Sequence, residues 1–378
     1  MKNIQRYILK SFDKKLKKQK VLLVFGARRV GKTHLIKQFL KSQKEAYVYL
    51  NGEDIQTHEL LARQSVENYR RIMGNKKLLF IDEAQKIEQI GEKLKLMVDE
   101  IEGLKVIVSG SSSFDIIQTV GEPLTGRKTS YHLFPLSEEE LMPYETASSR
   151  GDKLKERLIY GNYPEMYLME NEADKREYLN EMVSAYLLKD ILIYDNVKNA
   201  QKIYSLLKMI AFQIGSEVSL QELGKKLGVS KNTVERYLDL LTKVFILHRV
   251  DGFSRNLRKE ITKSSRYYFI DNGLRNAVIS NFNRLEARND LGQLWENYWI
   301  SERLKFQEYH KIYSTNYFWR TYSQQEIDWV EDRDGKLFAY ELKWSKEKVK
   351  APSQWTKAYP DAAFNLVNQW NYIDWLTV

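Results

Sequence analysis

One stretch limits what this chain can fold into more than any other: VLLVF at 21–25, GARRVGKT at 26–33, then HLIKQFLKS. Five apolar residues with charge before them and glycine after them read as a short buried strand. The next eight match G-x-x-x-x-G-K-[ST], and the apolar spacing beyond is helical. The bare pattern arises by chance in on the order of one chain per hundred of this length, so its place between a strand and a helix gives it its weight. Gly26 and Gly31 let the backbone turn tightly. The N–H groups from Ala27, Arg28, Arg29 and Val30 on to His34 can then surround a phosphate. Lys32 is placed to reach the β- and γ-phosphates, and Thr33 to offer its hydroxyl to Mg²⁺. ATP and Mg²⁺ are the expected cofactors.

KKLLFIDEAQ at 76–85 supplies the second half of such a site. Its apolar run predicts a central strand with Asp82 and Glu83 at the C-terminal end, where open α/β sheets bind ligands. Asp82 is expected to hold Mg²⁺ through its water shell, and Glu83 to polarise the water that attacks the γ-phosphate. AYVYLNGED at 46–54 and LKVIVSGSSS at 104–113 read as further strands of the same sheet. The second ends in Ser109, Ser111, Ser112 and Ser113; Ser111 or Ser109 is the candidate for a polar residue between the acids and the γ-phosphate. A helix N-cap before FDIIQTV accounts for the cluster equally well. Arg127, just before the strand SYHLF, can serve as an arginine finger on a neighbouring subunit's γ-phosphate, which implies a homo-oligomer. An ordinary surface arginine is the competing account.

These residues together resemble the AAA+ ATPase superfamily, and within it a bacterial and archaeal group with a GxRxxGKT loop and a further C-terminal domain. FPLSEEE at 134–140 looks like that group's signature after the ATPase domain. YGNYPE at 160–165 looks like its Y-G-G-x-P turn, with Asn162 in place of the second glycine because asparagine tolerates left-handed geometry. YFIDNGL at 268–274 also matches. The resemblance implies a fold of the α/β class: a P-loop NTPase (AAA+) parallel sheet with a helical lid, then a winged helix and a restriction-endonuclease-like domain. The expected divisions are an ATPase domain at 1–135, a lid-like region at 136–194, a winged helix at 195–284 and a nuclease-like domain at 285–378. Successive amphipathic stretches (RLIY, EYLNEMVSAYLLKDIL, KIYSLLKMIAFQI) fill the lid region and run past it, but no second sensing arginine stands out there.

The charge is unevenly spread. Residues 1–44 hold 14 Lys/Arg against one acid, and 195–284 hold 16 against 8, within a chain of net +10. Clustered cations favour a polyanion, because binding releases phosphate counterions. SLQELGKKLGVSKNTVERYLDLLTKVFILHRV at 219–250 has a helix–turn–helix pattern. Leu220, Leu223 and Leu227 give its first helix an apolar face, Gly228 makes the turn, and Ser230 caps a second helix whose inner side is Val234, Leu238 and Leu241. Lys231, Asn232, Thr233 and Arg236 are left on the exposed N-terminal face, the part that meets base edges in such motifs. DNA is the expected partner; a protein docked on the same fold is the alternative. The basic stretch SRNLRKEITKSSR links the two wing strands FILHRV and RYYFI.

A second candidate site lies near the C-terminus. DLGQLWENYWISERLK reads as a helix with Leu291, Leu294, Trp295 and Tyr298 inward, and three strands follow, YFWRT, QEIDWV and LFAYELKW. Strand alternation sets Asp328 apart from Ile327 and Trp329, and puts Glu341 and Lys343 on one face. Carboxylates so placed can hold Mg²⁺ against a phosphodiester, with the lysine orienting water or neutralising the transition state. The arrangement resembles the PD-(D/E)xK nuclease fold, which often adds a glutamate from the first helix. GQLWE suggests Glu296, whereas helical spacing sets Glu302 nearer the apolar stripe, and both stay open. A nuclease-like domain without activity, kept for binding a protein, is the rival reading. The chain has no cysteine, which excludes disulfides, thiolate zinc sites and cysteine nucleophiles. Apolar runs of about five residues are too short to span a membrane, and the basic start lacks an apolar signal core, so a cytoplasmic location is expected.

Overall fold

Val21 to Val24 are all buried, as expected of a strand covered on both faces. The computed structural model describes residues 4–111, 123–187, 200–254 and 265–377. Ser112, Ser113, the FDIIQTV stretch, the end of EYLNEMVSAYLLKDIL and most of the basic SRNLRKEITKSSR linker fall outside these. The chain divides into two units. One is Gln5–Pro135 with Lys243–Phe245; the other is Leu136–Thr242 with Ile246–Val378 and the first four residues.

Among its described residues the first unit has five strands: β1 (Lys20–Phe25), β2 (Tyr47–Asn51), β3 (Leu78–Asp82), β4 (Lys105–Gly110) and β5 (Lys128–His132). They lie in the order β2-β3-β4-β1-β5, and every pair is parallel. Each link between parallel neighbours must cross back over the sheet, which accounts for the helices Lys32–Ser42 and Ile90–Glu100. Leu94, Met97 and Val98 of the second pack into one apolar cluster with Leu79, Ile81, Val106 and Val108 of the strands. Because all five strands point the same way, Gly26, Asp82, Ser109 and Asn51 gather at one edge. The strands expected at 21–25, 46–54, 76–85 and 104–113 are all present.

In the second unit FPLSEEE acquires a structural use. Ser137 caps the short helix Glu138–Leu141, with Glu140 returning a bond to the Ser137 N–H. Glu138, 1% exposed, accepts bonds from the Tyr298 hydroxyl and the Arg157 guanidinium. Arg157 also pairs with Glu145. Arg157 lies on the helix Ala147–Tyr160, which packs on Asn272–Val278 within this same unit. Asn162 departs from expectation, since it is not left-handed. It is buried because its N–H donates to Asp271 (2.6 Å) and its Nδ2 to Glu302 (2.8 Å). The left-handed residue is Gly161 (φ +73°), where any Cβ would overlap the Asp271 carboxylate.

Among the described residues of this unit there are seven strands: β6 (Glu217–Val218), β7 (Leu247–Gly252), β8 (Ser265–Phe269), β9 (Thr315–Arg320), β10 (Glu326–Arg333), β11 (Lys336–Leu342) and β12 (Ala363–Val367). They form one sheet in the order β12-β11-β10-β9-β7-β8-β6. Short parallel pairing of Asp251 and Gly252 with Tyr317 and Phe318 joins its two halves. The helix Leu291–His310 is buried almost all round, with Trp295 and Trp299 fully enclosed. Trp319, Trp329 and Trp355 are buried too, so the dense C-terminal tryptophans serve mainly as core. Among the described residues, no helix is long and apolar enough to cross a membrane.

Candidate functional site

The phosphate loop leaves β1 at Gly26, whose Cβ, if present, would overlap the Leu133 carbonyl oxygen. Only glycine lets the loop pass that close to the end of β5. Arg29 (φ +63°) and Gly31 (φ +93°) are left-handed, and Gly31 caps the helix beginning at Lys32. Such a run of turns directs N–H groups inward as an anion nest at a helix N-terminus. Ala27 and Val30 are buried, Arg28 half-buried, Arg29 and His34 exposed. Lys32 is buried and folds back over the loop, donating to the carbonyls of Gly26 (3.1 Å) and Ala27 (2.9 Å). An ammonium held by two carbonyls is ready to exchange them for phosphate oxygens. Arg6, which the sequence did not single out, braces the loop by donating to the carbonyls of Val30 (2.7 Å) and Phe134 (2.6 Å).

Thr33 donates its hydroxyl to the Asp82 carboxylate at 2.9 and 3.1 Å, so the two residues expected at the Mg²⁺ of a nucleotide face each other. A hydroxyl and a carboxylate are hard oxygen donors of the kind Mg²⁺ takes. Ser109, fully buried at the end of β4, also donates to Asp82. Ser111 accepts from Gln85 Nε2 (3.1 Å), which also donates to Glu83 (2.6 Å). The two serines thus take different partners: Ser109 fixes Asp82, and Ser111 reaches Glu83 through Gln85. Gln85 was missed because no motif marks it. Glu83 itself is left-handed (φ +48°), which turns it out of the strand direction. Arg127 lies at the other end of the sheet, its carbonyl accepting from Val21 N, and pairs with Asp99 at 2.6 Å. That is about 15 Å along β1 from the loop, so Arg127 could serve only the loop of another copy.

In the second unit, helices Leu220–Leu227 and Lys231–Lys243 meet at a left-handed Gly228. Ser230 accepts from Thr233 N (3.1 Å), the cap expected there. Lys231, Asn232 and Arg236 are exposed and Thr233 is half-buried, while Val234, Leu238 and Leu241 face inward. Leu220 is only half-buried.

Asp328, Glu341 and Lys343 do come together. Lys343 Nζ lies 3.1 Å from Asp328 and 2.8 Å from Glu341. Asp328 also accepts from Leu342 N at 2.8 Å. A register shift between Ile327 and Val330 interrupts β10 here, so simple alternation does not hold through Asp328; bulges re-aim side chains in this way. Of the two helix glutamates, Glu296 belongs to this group. It accepts from Tyr268 (2.6 Å), lies 3.7 Å from Arg266 and feels the charge of Asp328. Glu302 instead bonds Lys305, Asn162 and Glu138 N. Spacing alone favours Glu302, but a helix buried almost all round has no single inward stripe.

Burial, and then the neighbouring Asp328, push Glu296 up to about 8 and Glu341 up to about 7. Burial acts to lower Lys343, but Asp328 and Glu341 outweigh it and hold its ammonium above the ordinary value. Glu341 Oε2 is buried without a hydrogen-bond partner, an orphaned oxygen of the kind a cation would satisfy. Among the described residues, however, no three Asp, Glu or His side chains are grouped to hold a metal ion. The acids are already turned toward Lys343 and Arg266.

The raised Glu296 gives a signed expectation. A folded-state value above the unfolded one adds stability that is complete below the unfolded value, about 4.5, and is lost as pH rises through about 8. Glu296→Gln keeps the uncharged form. In metal-free buffer its melting temperature should rise relative to wild type between about pH 5 and about pH 9. A relative fall over that range would contradict the placement of Glu296.

Residues 18–142 match the family described as AAA domain, 151–285 a domain of unknown function (DUF8612) and 291–371 a domain of unknown function (DUF4143). The chain is 23% identical to the uncharacterized protein MJ1544 of Methanocaldococcus jannaschii, across 96% of this chain and 84% of that one. It is 25% identical to the uncharacterized protein Rv2008c of Mycobacterium tuberculosis, across 85% and 70%. An uncharacterized protein of Haemophilus influenzae is 25% identical across 70% and 72%. The match over 18–142 and the five-stranded parallel sheet agree: the N-terminal unit is an AAA-type P-loop nucleotide-binding domain of the α/β class.

Proposed function

We propose that this AAA-type domain hydrolyses Mg·ATP and that the C-terminal unit is its DNA-associated output, a winged helix joined to a restriction-endonuclease-like domain. The observation that carries the proposal is the convergence of Lys32, Thr33, Asp82 and Glu83 on one corner of a parallel sheet. In the proposed reaction, Lys32 leaves the Gly26 and Ala27 carbonyls for the β- and γ-phosphates, and Thr33 and Asp82 face the Mg²⁺ of the substrate. Glu83 takes a proton from water as the water oxygen bonds to the γ-phosphorus. The bond to the β–γ bridging oxygen breaks, and ADP and phosphate leave. In a homo-oligomer, Arg127 of an adjacent copy would steady the charge on the transferring phosphoryl group.

Lys231, Asn232, Thr233 and Arg236 are the proposed DNA contacts of the winged helix. At the second site, Asp328 and Glu341 would hold Mg²⁺, with Glu296 beside them, and the ion when bound would supply Lewis-acid polarisation of a phosphodiester. Lys343 would neutralise charge on the phosphoryl oxygens. One observation favours a second reading, a nucleotide-dependent switch that binds a protein through a catalytically silent domain. Lys343 and Arg266 already balance the acids from within the chain.

A single set of assays tests both readings: nucleotide binding, phosphate release and DNA cleavage in wild type, Lys32→Ala and Lys343→Ala. Lys32→Ala should weaken ATP binding by more than about tenfold and stop phosphate release. Retention of both would remove the basis of the proposal. Cleavage lost in Lys343→Ala while phosphate release continues supports the nuclease; a wild type that cuts no DNA supports the switch.

A further inference from the structure

The hairpin joining β9 to β10 and the loop leaving β11 lie at the same end of the sheet as Asp328, Glu341 and Lys343. Antiparallel pairing sets that end: Trp329 faces Tyr340, and Leu342 N reaches Asp328. From Lys343 the chain runs KWSKEKVK, leaving Lys346, Lys348 and Lys350 exposed beside one acid. It then enters the helix Ser353–Ala358, whose start braces the hairpin. Gln354 N donates to Gln325 Oε1 (3.0 Å), and Gln354 Nε2 donates to Ser323 Oγ (2.9 Å). Inside the hairpin, Thr321 N donates to Gln325 O (2.9 Å) and Gln325 N to Thr321 Oγ1 (3.2 Å), while Arg320 holds Gln324.

This bracing holds Tyr322 out in solvent at 105% relative exposure, although most aromatics of the unit are buried. A ring held fully in water on an ordered turn contributes nothing to the core, and its neighbours Thr321, Ser323 and Gln324 form no apolar patch for a protein. Three lysines within five residues favour a polyanion. The geometry points to a contact surface for single-stranded nucleic acid. Tyr322 stacks on an unpaired base while Lys346, Lys348 and Lys350 follow the phosphates, leading the strand to Asp328, Glu341 and Lys343. The tip lies about 10 Å beyond Asp328 along β10, close enough for one strand to engage both. The inference rests on the DNA-associated reading above and adds where the strand lies and that it is unpaired.

Fluorescence anisotropy on the full chain, in EDTA and over a series of salt concentrations, tests it with a labelled single-stranded oligonucleotide and its duplex. Tyr322→Ala should weaken single-strand binding about tenfold and duplex binding less, and Tyr322→Phe should retain both. The triple variant K346E/K348E/K350E should reduce the single-strand salt slope by about two. These differences should persist in K231E/R236E. Single-strand binding unchanged in Tyr322→Ala, or an equal loss on duplex, overturns the inference. So does a protein partner that depends on Tyr322 while oligonucleotide binding does not. If wild type binds neither oligonucleotide, the DNA-associated reading falls as well. If binding needs Lys231 and Arg236 but neither Tyr322 nor the three lysines, only the present inference falls.

Discussion

Glu83→Gln is expected to leave ATP bound and stop its turnover. Glutamine keeps the shape of the side chain and can still accept from Gln85 Nε2, so the 2.6 Å contact that positions residue 83 survives. The left-handed backbone at Glu83 is set by the strand end and by the Glu83 N–H on Ser109 Oγ at 3.3 Å; the substitution touches neither. What is lost is the carboxylate that takes a proton from water, a contribution of about 10²–10⁴-fold in rate. Phosphate release should fall by that factor, while the affinity for a fluorescent ATP analogue stays within about threefold of wild type. This differs from Lys32→Ala, where affinity falls too. A Glu83→Gln protein that turns over ATP near the wild-type rate would place the base elsewhere, and Asp82 would be tested next.

The legible and illegible parts of this site differ in range along the chain. The phosphate loop could be read because strand, loop and helix are contiguous, so the one stretch 21–42 contains both the pattern and its context. Asp82 was readable because a strand of four apolar residues ends on it. Ser109 and Ser111 were seen as a cluster, but only the register of β4 against β3 puts one on Asp82 and leaves the other to Gln85. Arg6 is twenty residues ahead of the loop it braces and looks like any residue of the basic N-terminal block. Asn162 was misread because a local rule about turns was applied to a residue retained for its distant partners Glu302 and Asp271. Asp328 lay close to its partners as expected, although the bulge in β10 breaks the alternation used to place it. Local chemistry survives translation into sequence; the long-range polar bonds do not.

The buried polar centre of the C-terminal unit supports the other large expectation, that Arg157→Met destabilises this unit by about 3–5 kcal/mol. The Arg157 side chain is 3% exposed, and its partners Glu138 and Glu145 are 1% and 7% exposed. Burial acts to lower the guanidinium, yet Glu138 and the other surrounding groups outweigh it and hold it well above its ordinary value, so Arg157 stays charged. Methionine has similar volume, so packing changes little. The loss is electrostatic, because two carboxylates remain buried with no cation between them. Part of that loss returns if the stranded acid is also neutralised, so Arg157→Met with Glu138→Gln should be more stable than Arg157→Met alone. At about 2–4 °C per kcal/mol for a unit of this size, the single variant should melt roughly 10 °C lower. The measurement is thermal unfolding followed by tryptophan fluorescence, which reports Trp295 and Trp299 on the adjoining helix. A loss under about 1 kcal/mol, or no recovery in the double variant, would mean that water reaches the acids and that Glu138 is not held by Arg157.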